Sequence, residues 1–267
     1  MIRALWTAGT GMNVQQVNLD IIANNIANVN TNGFKRSRAD FQDLIYQTLR
    51  LQGMRTGDGN QIPTGIEIGH GARLAAIQKV FMQGDFQETQ GELDMAIEGA
   101  GFLTIVLPTG EKAYTRSGSL KRDSDGKVVT SDGYALEPSI TIPNNAISIS
   151  ITPNGTLSAK IPNQSEPQQL GTIELASFPN NAGLKSMGKS LYMETDASGA
   201  PITGKAGENG LGTLLQGFLE MSNVNVMQEM INLIVGQRAY EVNSKAIQAA
   251  DEMLQMANNV RREVNGY

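Results

Sequence analysis

From Val235 onward, apolar residues recur at alternating steps of four and three: Val235, Ala239, Val242, Ala246, Ala249, Met253, Met256 and Val260. This is the a/d seam of a helix that packs against other helices along its length. No proline interrupts the stretch from Val224 to Val264, and Gly236 is its one glycine. Ser222 or Asn223 can cap its start, and Gln228 and Glu229 fall in its first turns. Such a helix runs roughly 60 Å at 1.5 Å per residue, too long for one compact domain of this size to cover. Its expected partner lies at the other chain end. There Leu5, Ala8, Met12, Gln15, Leu19, Ile22, Ile26 and Val29 repeat the spacing, broken only by Gln15. Asp20 is the one charged residue between Ala4 and Phe34. A solvated helix face carries more charge than that, so this helix should be contacted on most sides. An ordinary core helix of a globular domain is the alternative. It does not explain why both chain ends are long helices while everything between them reads as β.

The first helix should stop between Asn28 and Gly33, where Asn-Val-Asn-Thr-Asn-Gly favours left-handed backbone and Gly33 suits a helix C′ position. A second candidate helix spans Arg38 to Leu51, with Phe41, Leu44, Ile45, Thr48 and Leu49 on one face; a strand is the other reading. Residues 52–65 hold four glycines and Pro63 and read as a loop or long hairpin arm. From Ile66 to Leu219 the signals are β. Short strands are expected at Ala72–Phe81, Leu93–Glu98, Phe102–Val106, Ala113–Thr115, Lys127–Thr130, Ala146–Ile151, Thr156–Lys160 and Gly171–Phe178. Asp125-Gly126, Asp132-Gly133 and Asn154-Gly155 mark tight turns. This spacing suggests a small sandwich or barrel-like unit. Residues 180–212 read as looser chain, and Leu214–Glu220 returns to the last helix.

The expected fold is therefore α+β: long terminal helices packed as a coiled-coil-like pair, with an extended arm and a central all-β domain between them. The expected division has three parts. Residues 1–33 with 222–267 form the helical domain. Residues 34–75 with 180–221 form the arm and a linking β region, and residues 76–179 form the central β domain.

Composition narrows the chemistry. The net charge is −5 and the pI near 5.0, against a nucleic-acid surface. Cysteine is absent, which removes disulfides, thiolate metal sites and a cysteine nucleophile. No run approaches the ~18 apolar residues of a membrane span. Met1-Ile2-Arg3 and the residues to Thr10 lack the sustained apolar core and cleavage site of a signal peptide. The chain is thus expected in the cytosol or exported without a cleaved leader. His70, the single histidine, sits between two glycines and excludes a multi-histidine metal site. Asp123-Ser124-Asp125-Gly126 resembles a calcium loop, but Tyr134 stands where the bidentate Glu belongs and the Gly comes too early. Gly99-Ala100-Gly101 precedes a strand, unlike a dinucleotide loop. Lys35-Arg36-Ser37-Arg38 reads as a solvated basic cluster, and Met227, Met230, Met253 and Met256 as core fill. No cofactor or metal site is expected. A wall-cleaving hydrolase would need a convergent carboxylate pair; turns and strands account for Asp85, Glu88, Glu92, Asp94 and Glu98.

Leu19-Asp20-Ile21-Ile22-Ala23-Asn24-Asn25-Ile26-Ala27-Asn28-Val29-Asn30-Thr31-Asn32-Gly33-Phe34-Lys35-Arg36 resembles the N-terminal signature of bacterial flagellar rod and hook proteins. Glu220-Met221-Ser222-Asn223-Val224-Asn225-Val226 and Gln237-Arg238-Ala239-Tyr240-Glu241-Val242-Asn243-Ser244-Lys245-Ala246-Ile247-Gln248 resemble the C-terminal one. In the middle, Asp94-Met95-Ala96-Ile97-Glu98-Gly99-Ala100-Gly101-Phe102-Leu103 and Tyr114-Thr115-Arg116-Ser117-Gly118-Ser119-Leu120 match as well. The segment Phe41-Gln42-Asp43-Leu44-Ile45-Tyr46-Gln47-Thr48, with the arm through Pro63, is similar to one in the distal-rod branch that hook proteins lack.

The resemblance implies a structural subunit that polymerises into a straight hollow rod in the periplasm and transmits torque. The alternatives within the family are a proximal rod or a hook subunit. It implies export through the flagellar type III apparatus without a cleaved signal peptide. Its implied partners are further copies of itself, proximal rod proteins, the hook protein and the ring or bushing proteins around the rod, with no nucleic acid and no membrane span. The packing residues are then Leu5, Met12, Leu19, Ile22, Ile26 and Val29 with the seam from Val235 to Val260. The arm residues are Phe41, Leu44, Ile45, Tyr46 and Pro63.

Overall fold

The computed structural model describes residues 2–53, 63–162 and 166–264. The chain is α+β and divides into two compact units, one of residues 1–26, 37–78 and 226–267, the other of 27–36 and 79–225. Among the described residues no helix is long and apolar enough to cross a membrane.

The first unit contains both long helices, α1 (Ile2–Ala27) and α2 (Val226–Val264). They touch at points that run in opposite directions along the two sequences. Asn25 Nδ2 donates to Glu229 Oε2 at 3.3 Å. Further along, Leu19 and Gln15 lie against Gly236, and Asn243 lies against Gly11. The contacts on α2 are spaced seven residues apart, and the helices are antiparallel. Asn25, 1% exposed, also ties the helix end to the following strand: its Nδ2 donates to Ser37 O and its Oδ1 accepts from Ser37 N, both at 2.9 Å.

Residues 38–51 are strand, not helix. β1 (Ser37–Asp43) and β2 (Tyr46–Arg50) pair respectively with β4 (Ala72–Lys79) and β3 (Ile66–Gly69). The backbone is satisfied by antiparallel partners such as Gln47 opposite Ile68, and Phe41, Ile45 and Leu49, spaced as for a helix, are left exposed. Gly71 (φ 107°) lies against α1, where a Cβ would stand 2.1 Å from Thr10 Oγ1. The larger part of the loop expected over residues 52–65 lies outside the described residues.

The second unit is all β. Its strands begin with β5 (Phe86–Glu88), β6 (Met95–Glu98), β7 (Phe102–Val106), β8 (Lys112–Thr115), β9 (Leu120–Arg122), β10 (Val128–Thr130) and β11 (Ala135–Glu137). They continue with β12 (Ser148–Ile151), β13 (Thr156–Lys160), β14 (Gln168–Thr172), β15 (Glu174–Ser177) and β16 (Lys185–Gly188). The last are β17 (Leu191–Met193), β18 (Ile202–Lys205), β19 (Thr213–Gln216) and β20 (Phe218–Glu220). A nine-stranded sheet follows the order β16-β17-β8-β7-β11-β10-β9, with β15 joining β7 and β18 joining β15. A three-stranded sheet is β12-β13-β14, and β6 and β5 pair with the returning strands β19 and β20. Residues 180–212, expected as loose chain, supply three of the strands in the large sheet. Gly171–Phe178, expected as one strand, is divided between β14 and β15.

Ile97, Leu103, Ile105, Leu136, Leu157, Ile173, Leu175 and Leu214 fill the core at 1% exposure or less. A second cluster joins Phe81, Phe102, Tyr114, Phe178 and Tyr192, edge to face at 4.8 to 5.9 Å. Such pairs add about 0.5–1.5 kcal/mol each beyond their buried area. Burial and the neighbouring Glu194 push the Tyr114 hydroxyl up to about 12.

Candidate assembly interface

Helix α2 has two different long faces. One meets α1 and is marked by Glu229, Gly236 and Asn243, one every heptad. These are small or polar residues, and Gly236 is placed where even a Cβ would stand 2.9 Å from Leu19 Cδ2. The seam expected from the sequence runs one residue earlier, through Val235, Val242, Ala249 and Met256. At 100° per residue that row stands about 100° around the helix from the pairing face, and the seam's other row, Ala239, Ala246 and Met253, about 60°.

Val235 (63%), Val242 (65%), Met253 (46%) and Met256 (59%) are exposed. Ala246 and Ala249 are also exposed, Ala239 is half-buried, and the side chain of Val260 lies outside the described residues. Nearer the start of α2, Met227, Met230, Ile231 and Ile234 are exposed as well. The large side chains Val235, Val242, Met253 and Met256 are thus left exposed with α1 in place. On α1, Ile22 is buried, and Leu5, Met12, Leu19, Ile26 and Val29 are half-buried. Ala8, Val14, Ile21 and Asn25 are more deeply covered than most of that expected set.

The β2–β3 hairpin presents a second apolar surface. Ile45 (84%), Tyr46 (51%), Leu49 (54%), Leu51 (64%), Ile66 (44%) and Ile68 (37%) are exposed on or beside it. Phe41 and Pro63 are exposed too, and Leu44 is half-buried. A two-stranded hairpin is marginal in water without a covering layer.

Inside the β unit, Glu220 joins two cations. Its Oε1 meets Lys35 Nζ at 2.5 Å and its Oε2 meets Arg116 Nε at 2.9 Å. The side chains of Lys35 and Glu220 are 0% exposed and that of Arg116 7%. The remaining hydrogen bonds hold backbone. Lys35 donates to Met82 O, and Arg116 Nη1 donates to Gly99 O and Gly101 O at 2.8 Å. Gly33 N donates to Glu220 O at 2.8 Å, and Gly84 N donates to Glu220 Oε1 at 3.1 Å.

Burial opposes ionisation of Glu220, but Arg116 and Lys35 outweigh it and hold the carboxyl below its ordinary range. Burial, with Arg116 beside it, also lowers the Lys35 ammonium against the pull of Glu220.

Asn223 completes this junction. Its Oδ1 accepts from Arg36 N, and its Nδ2 donates to Val80 O and Met82 O. It does not cap α2, which starts three residues later, and Ser222 Oγ is buried without a partner. Likewise Gly33 (φ 68°) lies beyond the end of α1 at Ala27, with space for a Cβ blocked by Ser117 N at 2.7 Å. Lys35 is thus a buried structural cation, and Gly99-Ala100-Gly101 offers carbonyls to Arg116, where a phosphate cradle would offer N–H groups. Among the described residues, no group of three or more His, Asp and Glu side chains is placed to hold a metal ion.

Three family models match: flagella basal body rod protein over residues 5–35, the flagellar hook protein FlgE/F/G D1 domain over 96–159, and the flagellar basal body rod FlgEFG protein C-terminal region over 215–260. Each contributes one member of the buried cluster: Lys35, Arg116 and Glu220.

The flagellar basal-body rod protein FlgG of Borreliella burgdorferi is 51% identical over 98% of this chain and 100% of its own. That of Caulobacter vibrioides is 47% identical over 97% and 100%, and that of Bacillus subtilis 39% over 98% and 100%. The chain belongs to the flagellar basal-body rod protein family. Within it the chain is similar over nearly its whole length to the FlgG proteins, and its role is that of a structural subunit of the flagellar distal rod, not an enzyme.

Proposed function

We propose that copies of this chain polymerise through the outward seam of α2 into a straight hollow tube that transmits torque. The observation that carries this reading is the row of large apolar side chains exposed on α2 although the helix already has a partner in α1. A lone helix pair has no reason to keep Val235, Val242, Met253 and Met256 in water. The terminal segments, 1–33 and 222–267, form the inner wall, and α1 and α2 pair there in a coiled-coil-like manner. Residues 76–179 form the outer layer. Residues 34–75 with 180–221 link the two, and the hairpin arm bridges neighbouring copies and limits bending. The tube stands in the periplasm between proximal rod proteins and the hook protein, inside its ring or bushing proteins. Its subunits arrive through the type III apparatus without a cleaved signal peptide.

Ala246→Glu tests the seam. A glutamate there buries a charge on assembly, at several kcal/mol unless it is paired, while the exposed side chain leaves the free chain's melting transition unchanged. Polymerisation and motility should be lost, whereas Gln248→Glu, exposed and off the seam, should assemble. Equal assembly of both variants rejects the seam as the contact.

A further inference from the structure

We infer that the assembly face of α2 is a site of reversible methionine oxidation, which blocks incorporation of a free chain and cannot reach a chain already in the polymer. This rests on the reading that α2 packs against further copies, and it concerns the regulation of that same face. Four methionines stand on the exposed side of the helix, in two pairs three residues apart. Met227 (72%) and Met230 (51%) precede the seam, one helical turn before the exposed Ile231 and Ile234; Met253 (46%) and Met256 (59%) close the seam beyond Val242.

Each apolar patch thus contains two thioethers open to solvent in the free chain. Thioethers are soft and conformable in an apolar contact, and their oxidation yields a polar, chiral sulfoxide that disrupts such contacts. A peroxide is the co-reactant. The thioether sulfur attacks one peroxide oxygen, the O–O bond breaks, and an S–O bond forms. Sulfur loses two electrons, and the other oxygen leaves as water after proton transfer. A thiol-dependent reductase restores the thioether.

The same side chains are covered once neighbours pack on them, so access separates the two states. Elsewhere, Met82 (65%) and Met187 (47%) are exposed on the β unit, and Met95 is fully buried. They supply internal controls for general surface oxidation and for unfolding. The absence of cysteine removes competing thiol chemistry from the same chain.

The test treats the purified full-length chain with hydrogen peroxide before polymerisation and, separately, after it. Mass spectrometry of peptides locates the sulfoxides, and sedimentation gives the critical concentration. Oxidation before assembly should raise the critical concentration by about tenfold or more. Methionine sulfoxide reductases should reverse the effect, and polymer treated afterwards should keep Met227, Met230, Met253 and Met256 unoxidised while Met82 or Met187 reacts.

The quadruple variant Met227→Leu, Met230→Leu, Met253→Leu, Met256→Leu should assemble and resist peroxide; Met82→Leu with Met187→Leu should assemble and remain sensitive. An unchanged critical concentration after oxidation of all four, or a quadruple variant as sensitive as the parent, overturns the inference. Polymerisation that tolerates Ala246→Glu points to failure of the assembly reading itself. Polymerisation stopped by Ala246→Glu but indifferent to the four sulfoxides rejects only the oxidation gate.

Discussion

Replacing Glu220 by alanine removes the one carboxylate shared by Lys35 and Arg116, both of which are then left as unpaired charges in the β unit. The two contacts, at 2.5 and 2.9 Å, connect groups no more than 7% exposed. Breaking a buried pair of this kind costs about 3–5 kcal/mol, because the desolvated partner keeps its charge without compensation. The Gly84 N–H also loses its acceptor, an addition of about 1–3 kcal/mol where the group stays buried.

For a unit of this size each kcal/mol moves the melting temperature by about 2–4 °C, so in Glu220→Ala the loss of the ion pairs alone should lower it by roughly 6–20 °C. Thermal unfolding by near-UV circular dichroism, which reads the Phe102–Tyr114–Tyr192 cluster, follows the β unit. Lys112→Ala is the control: its bond to Glu137 at 2.9 Å is half exposed and should be worth less than about 1 kcal/mol. A Glu220→Ala transition as high as that of Lys112→Ala refutes the role given to the buried cluster.

The same carboxylate fixes a pH dependence. Its folded pKa lies below the unfolded value of 4.5, so its stabilisation is full above that pH and lost as pH falls through the folded value. The stability gap between the parent and Glu220→Gln should narrow only below pH 4.5, as urea titrations at stepped pH will check. Gly33→Ala should destabilise the β unit by at least about 1–3 kcal/mol, because a Cβ at φ 68° meets Ser117 N at 2.7 Å; denaturant midpoints give the value. Gly236→Leu should separate α1 from α2, since Leu19 already stands 2.9 Å from a Cβ there, and should raise amide exchange in both helices while sparing the β unit. Deletion of residues 46–63 should leave the β unit's transition in place and give curved or flexible polymer in electron micrographs; straight rods would dismiss the arm as the stiffening element.

Both long helices were legible because their apolar repeats continue for many turns with few breaks. The use of the α2 repeat was not. A heptad row reports an apolar face but not which neighbour covers it, and here the contact with α1 runs through Glu229, Gly236 and Asn243, which no hydrophobicity pattern selects. Close approach depends on small residues, so the pairing face is quieter in sequence than the outward one. Strands β7, β8 and β13 stood out by composition. β16 to β18 did not: Lys185-Ser186-Met187-Gly188 is polar and exposed, and it is held by backbone pairing with β17.

The Glu220 cluster was invisible for a different reason. Its members lie at positions 35, 116 and 220, and a basic residue beside Arg36 and Arg38 reads as surface until three separate segments close around it. Asn223 has the composition of a helix cap, yet its amide is committed to three backbone groups of other segments, a long-range use that local spacing cannot reveal.

In the proposed tube the exposed seam of α2 is buried between copies. A subnanometre image of the assembled filament, with the α1–α2 pair and the β unit fitted as separate bodies, measures this directly. Val235, Val242, Ala246, Met253 and Met256 should be packed against helices of neighbouring copies, with Glu229, Gly236 and Asn243 still against their own α1. A filament in which that seam faces the open channel or solvent, while copies meet elsewhere, would contradict it.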